Sequence, residues 1–113
     1  MVETESNMGF KDLIVRRVPK ASERYERAPH VKWRFLEGRA VLIDANEGLF
    51  MHLNDVASCI WQGLDGKKSV DQMISDLDNA FDAPPHRLRK DVLKFLRRLS
   101  LMELIRKVES PNV

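Results

Sequence analysis

The side chains able to do chemistry beyond plain charge are few: His30, His52 and His86, the single Cys59, and the tryptophans Trp33 and Trp61. A catalytic nucleophile needs an adjacent base and a group that orients the base. No Gly-x-Ser-x-Gly, His-Glu-x-x-His or glycine-rich phosphate loop supplies such a set. Cys59 lies among Ala57, Ile60 and Trp61 with no basic neighbour in sequence, the setting of a buried, inert thiol. One cysteine also excludes a disulfide framework and a cysteine-built zinc or iron–sulfur site. His52 has no second metal ligand at useful spacing and reads as a half-exposed structural histidine able to donate a hydrogen bond to a partner. Trp33 and Trp61 fall where an apolar period already demands a large side chain, so they read as core anchors. No catalytic residue, metal or cofactor is assigned, and the chain is not expected to be an enzyme.

Charge carries more information. The 113 residues hold 19 Lys+Arg against 17 Asp+Glu, a formal +2 that argues against nucleic acid as the default partner. The signs are nevertheless sorted along the chain. Six aspartates from Asp55 to Asp82 face only Lys67 and Lys68, whereas eight cations between Arg87 and Lys107 face only Asp91 and Glu103. Arg87, Lys90, Lys94 and Arg97 or Arg98 recur every three or four residues, a stripe on one helix flank suited to an acidic peptide or a phosphate backbone. The plainer reading of that stripe is a solvated helix face.

The elements that must hold these residues follow from periodicity. Val31, Trp33 and Phe35 alternate with Lys32 and Arg34, and Val41 and Ile43 alternate with Ala40, Leu42 and Asp44, the period of strands. Turn residues at Glu37-Gly38-Arg39 and Ala45-Asn46-Glu47-Gly48 make Leu49–Leu53 a third strand of an antiparallel meander, with Leu49, Met51 and Leu53 inward and Phe50 and His52 outward. Asn54 caps a helix carrying Val56, Ile60 and Leu64, which Asp65-Gly66 ends. Ser69-Val70-Asp71-Gln72 is a capping box for a second helix, and Pro84-Pro85 opens the third and longest, with Leu88, Val92, Phe95, Leu96 and Leu99 as its core stripe. Leu104, Ile105 and Val108 follow as a strand or a helix extension. The fold class is therefore α+β, a three-stranded antiparallel sheet followed by three helices, winged-helix-like. Residues 1–28 are expected to be a partly flexible arm with an apolar patch at Phe10, Leu13, Ile14, Val15 and Val18. Residues 29–108 form the domain and 109–113 a tail. With 43% hydrophobic residues and no run of the ~18 apolar residues a membrane span needs, a cytoplasmic protein is expected.

An edge strand of such a sheet offers unpaired amides and carbonyls to a strand from another chain, and a basic third helix beside it makes a groove for an acidic peptide. A winged-helix DNA-binding protein using the same cations is the alternative, and a structural or domain-swapped homodimer is a third.

The ordered set Leu53-Asn54, Ala57-Ser58, Ile60-Trp61, Asp65-Gly66 and Ser69-Val70 resembles the PqqD family. The likeness continues upstream through Trp33-Arg34 and Ala40-Val41-Leu42-Ile43-Asp44 and downstream through Asp91-Val92 and Phe95-Leu96 to Leu104-Ile105. The resemblance implies a recognition element that binds the leader of a ribosomally made precursor peptide as an added strand and presents it to a modifying enzyme, often a radical SAM protein. Carried onto this chain, the contacts would come from Leu49, Phe50, Met51, His52 and Leu53 and from Arg87, Lys90, Asp91, Lys94, Phe95 and Arg98. A proline at Met51 would then abolish binding if that residue's amide pairs with the ligand. One departure is Glu103-Leu104-Ile105, where many relatives place Gly-Leu-Ile, so the left-handed cap of the third helix lacks its glycine.

Overall fold

Six strands and three helices succeed one another in the computed structural model, which describes residues 19–82 and 84–109. They are β1 (Arg24–Arg27), β2 (Lys32–Leu36), β3 (Arg39–Asp44), β4 (Leu49–His52), α1 (Asp55–Gln62), β5 (Asp65–Ser69), α2 (Val70–Ala80), α3 (Pro85–Leu101) and β6 (Ile105–Val108). The expected meander is present as the antiparallel sheet β2-β3-β4. Its first turn, Glu37-Gly38, has both φ angles positive (54° and 83°), the mirror-image turn whose twist suits a two-residue hairpin. Ala40 and Leu42 are fully buried on the inner face, while Ile43 and Phe50 stay exposed on the other.

The helix ends follow the local chemistry. Asn54 accepts the Ala57 N–H at 2.8 Å, and Ser69 and Gln72 close a reciprocal capping box. α3 closes without glycine. Glu103 takes φ +60° itself, so its N–H reaches the Ser100 carbonyl (3.0 Å) and the Leu104 N–H reaches that of Leu99 (3.0 Å), with Leu99 and Leu104 buried against the core. The core centres on Trp61, which meets Trp33 edge-on at 6.2 Å, and on the α3 stripe Leu88, Val92, Leu96 and Leu99.

A second antiparallel sheet, ordered β5-β1-β6, adds to the single sheet expected from sequence. Its central strand comes from the segment read as an arm, because Tyr25 and Ala28 are buried and Arg27 binds the end of α1, donating to the carbonyls of Trp61 and Gln62 at 2.9 Å. β5 occupies what read as a helix stop. Gly66 (φ +82°) sits at a register shift opposite β1, where a Cβ would meet Glu26 and Val108 at 3.3 Å. Ile105–Val108 is a strand and not a helix extension, zipped to β1 by Glu26–Arg106 (2.6 Å) and Glu23–Lys107 (3.3 Å). The Tyr25 hydroxyl donates to Glu23 at 2.8 Å, and burial together with that carboxylate pushes the phenol above its ordinary range. Burial opposes the Glu23 charge, but the Lys20 amide, the Tyr25 hydroxyl and Lys107 outweigh it and hold the carboxyl below its ordinary range. The patch from Phe10 to Val18 lies outside the described residues.

Candidate functional site

Two three-stranded sheets present four edges: β2, β4, β5 and β6. Three of them carry charges that discourage a further strand: Lys32 and Arg34 on β2, Asp65, Lys67 and Lys68 on β5, Arg106 and Lys107 on β6. β4, Leu-Phe-Met-His, has no Lys, Arg, Asp or Glu.

Register decides which β4 groups are free. The Leu53 N–H bonds the Ala40 carbonyl at 2.9 Å, which makes Leu42/Met51 and Asp44/Leu49 the hydrogen-bonded pairs and Val41/His52 and Ile43/Phe50 the others. The N–H and C=O of Phe50 and His52 therefore point away from β3 and find no partner among the described residues. The amide of Met51 does not: it faces Leu42, so a proline there strikes the sheet before it strikes any ligand. At the end of the ladder the Ser58 hydroxyl accepts the Ala40 N–H (2.8 Å) and donates to the Leu53 carbonyl (3.3 Å), riveting α1 to β3 and β4. This use of Ser58 turns it inward, and Cys59, expected to be buried, is exposed instead.

α3 approaches the two ends of this edge. At the Leu49 end, a cleft reaches Leu101, Met102 and the buried Asp44, whose carboxylate stands 3.4 Å from His30. At the other end, a groove of about 600 Å³ runs from Asn54, Val56 and Ala57 to the α3 face bearing Arg87, Asp91, Lys94, Phe95 and Arg98. Among the described residues no carboxylate pairs with Arg87, Lys94 or Arg98, whereas Arg89 is held by Asp71 at 2.8 Å.

The structure thus gathers five of the six expected α3 residues on one groove wall and sets Lys90, exposed, on the flank outside it. Of the strand residues, Phe50 and His52 are exposed with rings 5.2 Å apart, Leu49 and Met51 are half-buried against the core, and Leu53 is buried with both backbone groups used. Sequence reasoning missed the groove floor of Val56, Ala57, Ile60, Phe81 and Leu88. Its signal was the apolar stripe of α1 together with that of α3, which reads as core although part of both lines the groove.

Residues 39–105 match the family described as coenzyme PQQ synthesis protein D (PqqD). The PqqA binding protein of Rhizobium meliloti (strain 1021) is 31% identical over 74 residues, covering 66% of this chain and 74% of that protein. Two solved structures share the fold. Lasso peptide synthetase B1, complexed with the leader peptide, superposes with a TM-score of 0.66 at 19% identity over 74% of this chain and 98% of its own. The PqqD truncation of Methylobacterium extorquens PqqCD, described as a functional, stand-alone recognition element for ribosomally synthesized and post-translationally modified peptides, gives 0.65 at 23% identity over 80% and 98%. The family match spans β3 to the first residue of β6, more than half of the chain, and together with the identity to a curated relative it establishes that this chain belongs to the PqqD family.

Proposed function

We propose that this chain is a non-catalytic carrier that binds the leader of a ribosomally made precursor peptide as an added strand on β4 and presents it to a modifying enzyme, a radical SAM protein in the cytoplasm. The observation that carries the reading is the contrast among the sheet edges: among the described residues β4 alone lacks Lys, Arg, Asp and Glu, and the cationic, apolar-floored groove of α3 opens at Asn54, just past its end. The relatives, a PqqA binding protein and a leader-bound lasso peptide synthetase, point the same way. Backbone bonds from Phe50 and His52 would hold the peptide, Met51 and Phe95 would receive its inward side chains, and Arg87, Lys94 and Arg98 would favour an acidic one, with Asp91 setting a limit on that preference. By binding leader and enzyme together the carrier raises the local concentration of substrate at the enzyme.

The test is an NMR titration of labelled full-length protein with a synthetic leader from the short peptide encoded beside it, with duplex DNA as control. Amide shifts confined to Leu49–Leu53 and to α3, at a Kd of micromolar or below, are expected. Shifts elsewhere with β4 unmoved, or a salt-sensitive response of Arg87–Arg98 to DNA alone, would refute the carrier role.

A further inference from the structure

The alternation that frees the backbone of Phe50 and His52 also decides where their side chains go. Both stand on the face of β2-β3-β4 turned away from the core, and Phe50 is 60% exposed. A strand joining β4 must align with these two residues, because theirs are the groups that point outward. Residues directly opposite in a ladder share a face, in either strand orientation. Two side chains of the incoming peptide, two positions apart, therefore land on the solvent face beside Phe50 and His52. The one between them goes down opposite Met51 toward the groove.

The chemistry of that solvent face can be read from the register. One row across it is Lys32, Ile43, Phe50 and the next is Arg34, Val41, His52. The first row ends on two exposed apolar side chains, Ile43 at 37% and Phe50 at 60%. An apolar or aromatic neighbour would cover the Phe50 ring, as cross-strand aromatic pairs do. The second row ends on an imidazole with an N–H to donate. The strands bring Lys32, Arg34 and Arg39 to this face; Asp44 points inward and is buried, and Asp55, at the start of α1, is already paired with Arg39 at 2.9 Å. A Lys or Arg opposite His52 would meet the cations of this face, whose neighbouring carboxylate, Asp55, is already held by Arg39.

Resting on the leader-binding reading above, we propose that Phe50 and His52 are specificity-determining residues that read the leader from its solvent side, selecting an apolar or aromatic residue opposite Phe50 and a carboxylate opposite His52, two positions apart. In an antiparallel leader strand the acidic residue comes first; in a parallel one it comes second.

A display library of random linear twelve-residue peptides, selected on the full chain and on the Phe50→Thr and His52→Val variants, tests this, with hydrogen exchange of the amides at positions 50 and 52 followed for each binder. Both substitutions are on exposed positions and keep residues compatible with the strand. Binders that protect these amides are expected to carry the acidic and apolar residues at a spacing of two. Phe50→Thr should bind them about fivefold more weakly, the upper end for one cross-strand pair, and select no apolar residue at its position. His52→Val, which has no side-chain N–H to donate, should lose the acidic preference alone. Binders that protect the two amides yet show no such spacing, or whose affinity neither variant alters, overturn this inference while strand addition stands. A library yielding no binder, or only binders that leave these amides unprotected, overturns strand addition and this inference with it.

Discussion

Adjacent prolines on β4 should separate folding from binding. The Met51 N–H belongs to the ladder with Leu42, which is fully buried, so Met51→Pro removes one hydrogen bond, worth about 1 kcal/mol, and strands a buried carbonyl at a cost of about 1–3 kcal/mol more. A loss of roughly 3 kcal/mol in a domain of this size lowers the melting temperature by about 15 °C. His52→Pro removes an N–H that faces outward from an edge strand, where proline is tolerated, and should stay within about 1 kcal/mol of the parent. Its effect falls on the ligand, which loses a backbone bond and meets the pyrrolidine ring in the line of pairing, so leader affinity should fall at least about tenfold, or 1.4 kcal/mol. Circular-dichroism melts and fluorescence anisotropy with a labelled leader measure the two quantities separately. A folded His52→Pro protein that binds the leader like the parent would refute strand addition at that amide, and a Met51→Pro protein melting within a few degrees of the parent would refute the register.

Ser58→Ala should cost roughly 2–4 kcal/mol, because the buried Ala40 N–H and Leu53 carbonyl both lose their partner; urea unfolding with an unchanged m value measures it, and a loss below about 1 kcal/mol would show that the two groups close on each other. Glu103→Gly should stabilise by about 1 kcal/mol, since glycine takes the left-handed cap without a Cβ clash, and a lower melting temperature would contradict this. The raised Tyr25 phenol contributes stability that is complete below its ordinary pKa of 10.0 and is lost as pH rises beyond it, so melts above pH 10 should fall more steeply in the parent than in Tyr25→Phe. The lowered Glu23 carboxyl has the opposite sign: its contribution is present above 4.5 and disappears as pH falls, an acid limb that Glu23→Gln should flatten.

The parts of this fold that declare themselves in sequence are those where one residue type settles a local choice. Asn54 and the Ser69–Gln72 pair mark helix starts because their side chains satisfy otherwise unpaired amides, and the alternation from Leu49 to Leu53 sorts Phe50 from Met51 because a strand has only two faces. The second sheet did not declare itself. Arg-Tyr-Glu-Arg and Asp-Gly-Lys-Lys-Ser have little intrinsic preference for strand, and they become strands only because they pair with each other, about 40 residues apart, and the first also with β6, about 80 residues on. Cys59 lies outside the core for a related reason: hydrophobicity favours burying the thiol, but the open end of the β3–β4 ladder needs the hydroxyl of Ser58. The strand half of the site was legible as an edge, whereas which amides are free depends on one bond, Leu53 to Ala40, that no periodicity reveals.

Arg24 and Val108 stand directly opposite each other in the ladder of β1 and β6, about 5 Å apart at Cα. The polypeptide thus enters and leaves the domain through one doorway, in the sheet that does not contain β4. A segment continuing upstream of β1 or downstream of β6 would start from neighbouring points of one ladder, in that same sheet.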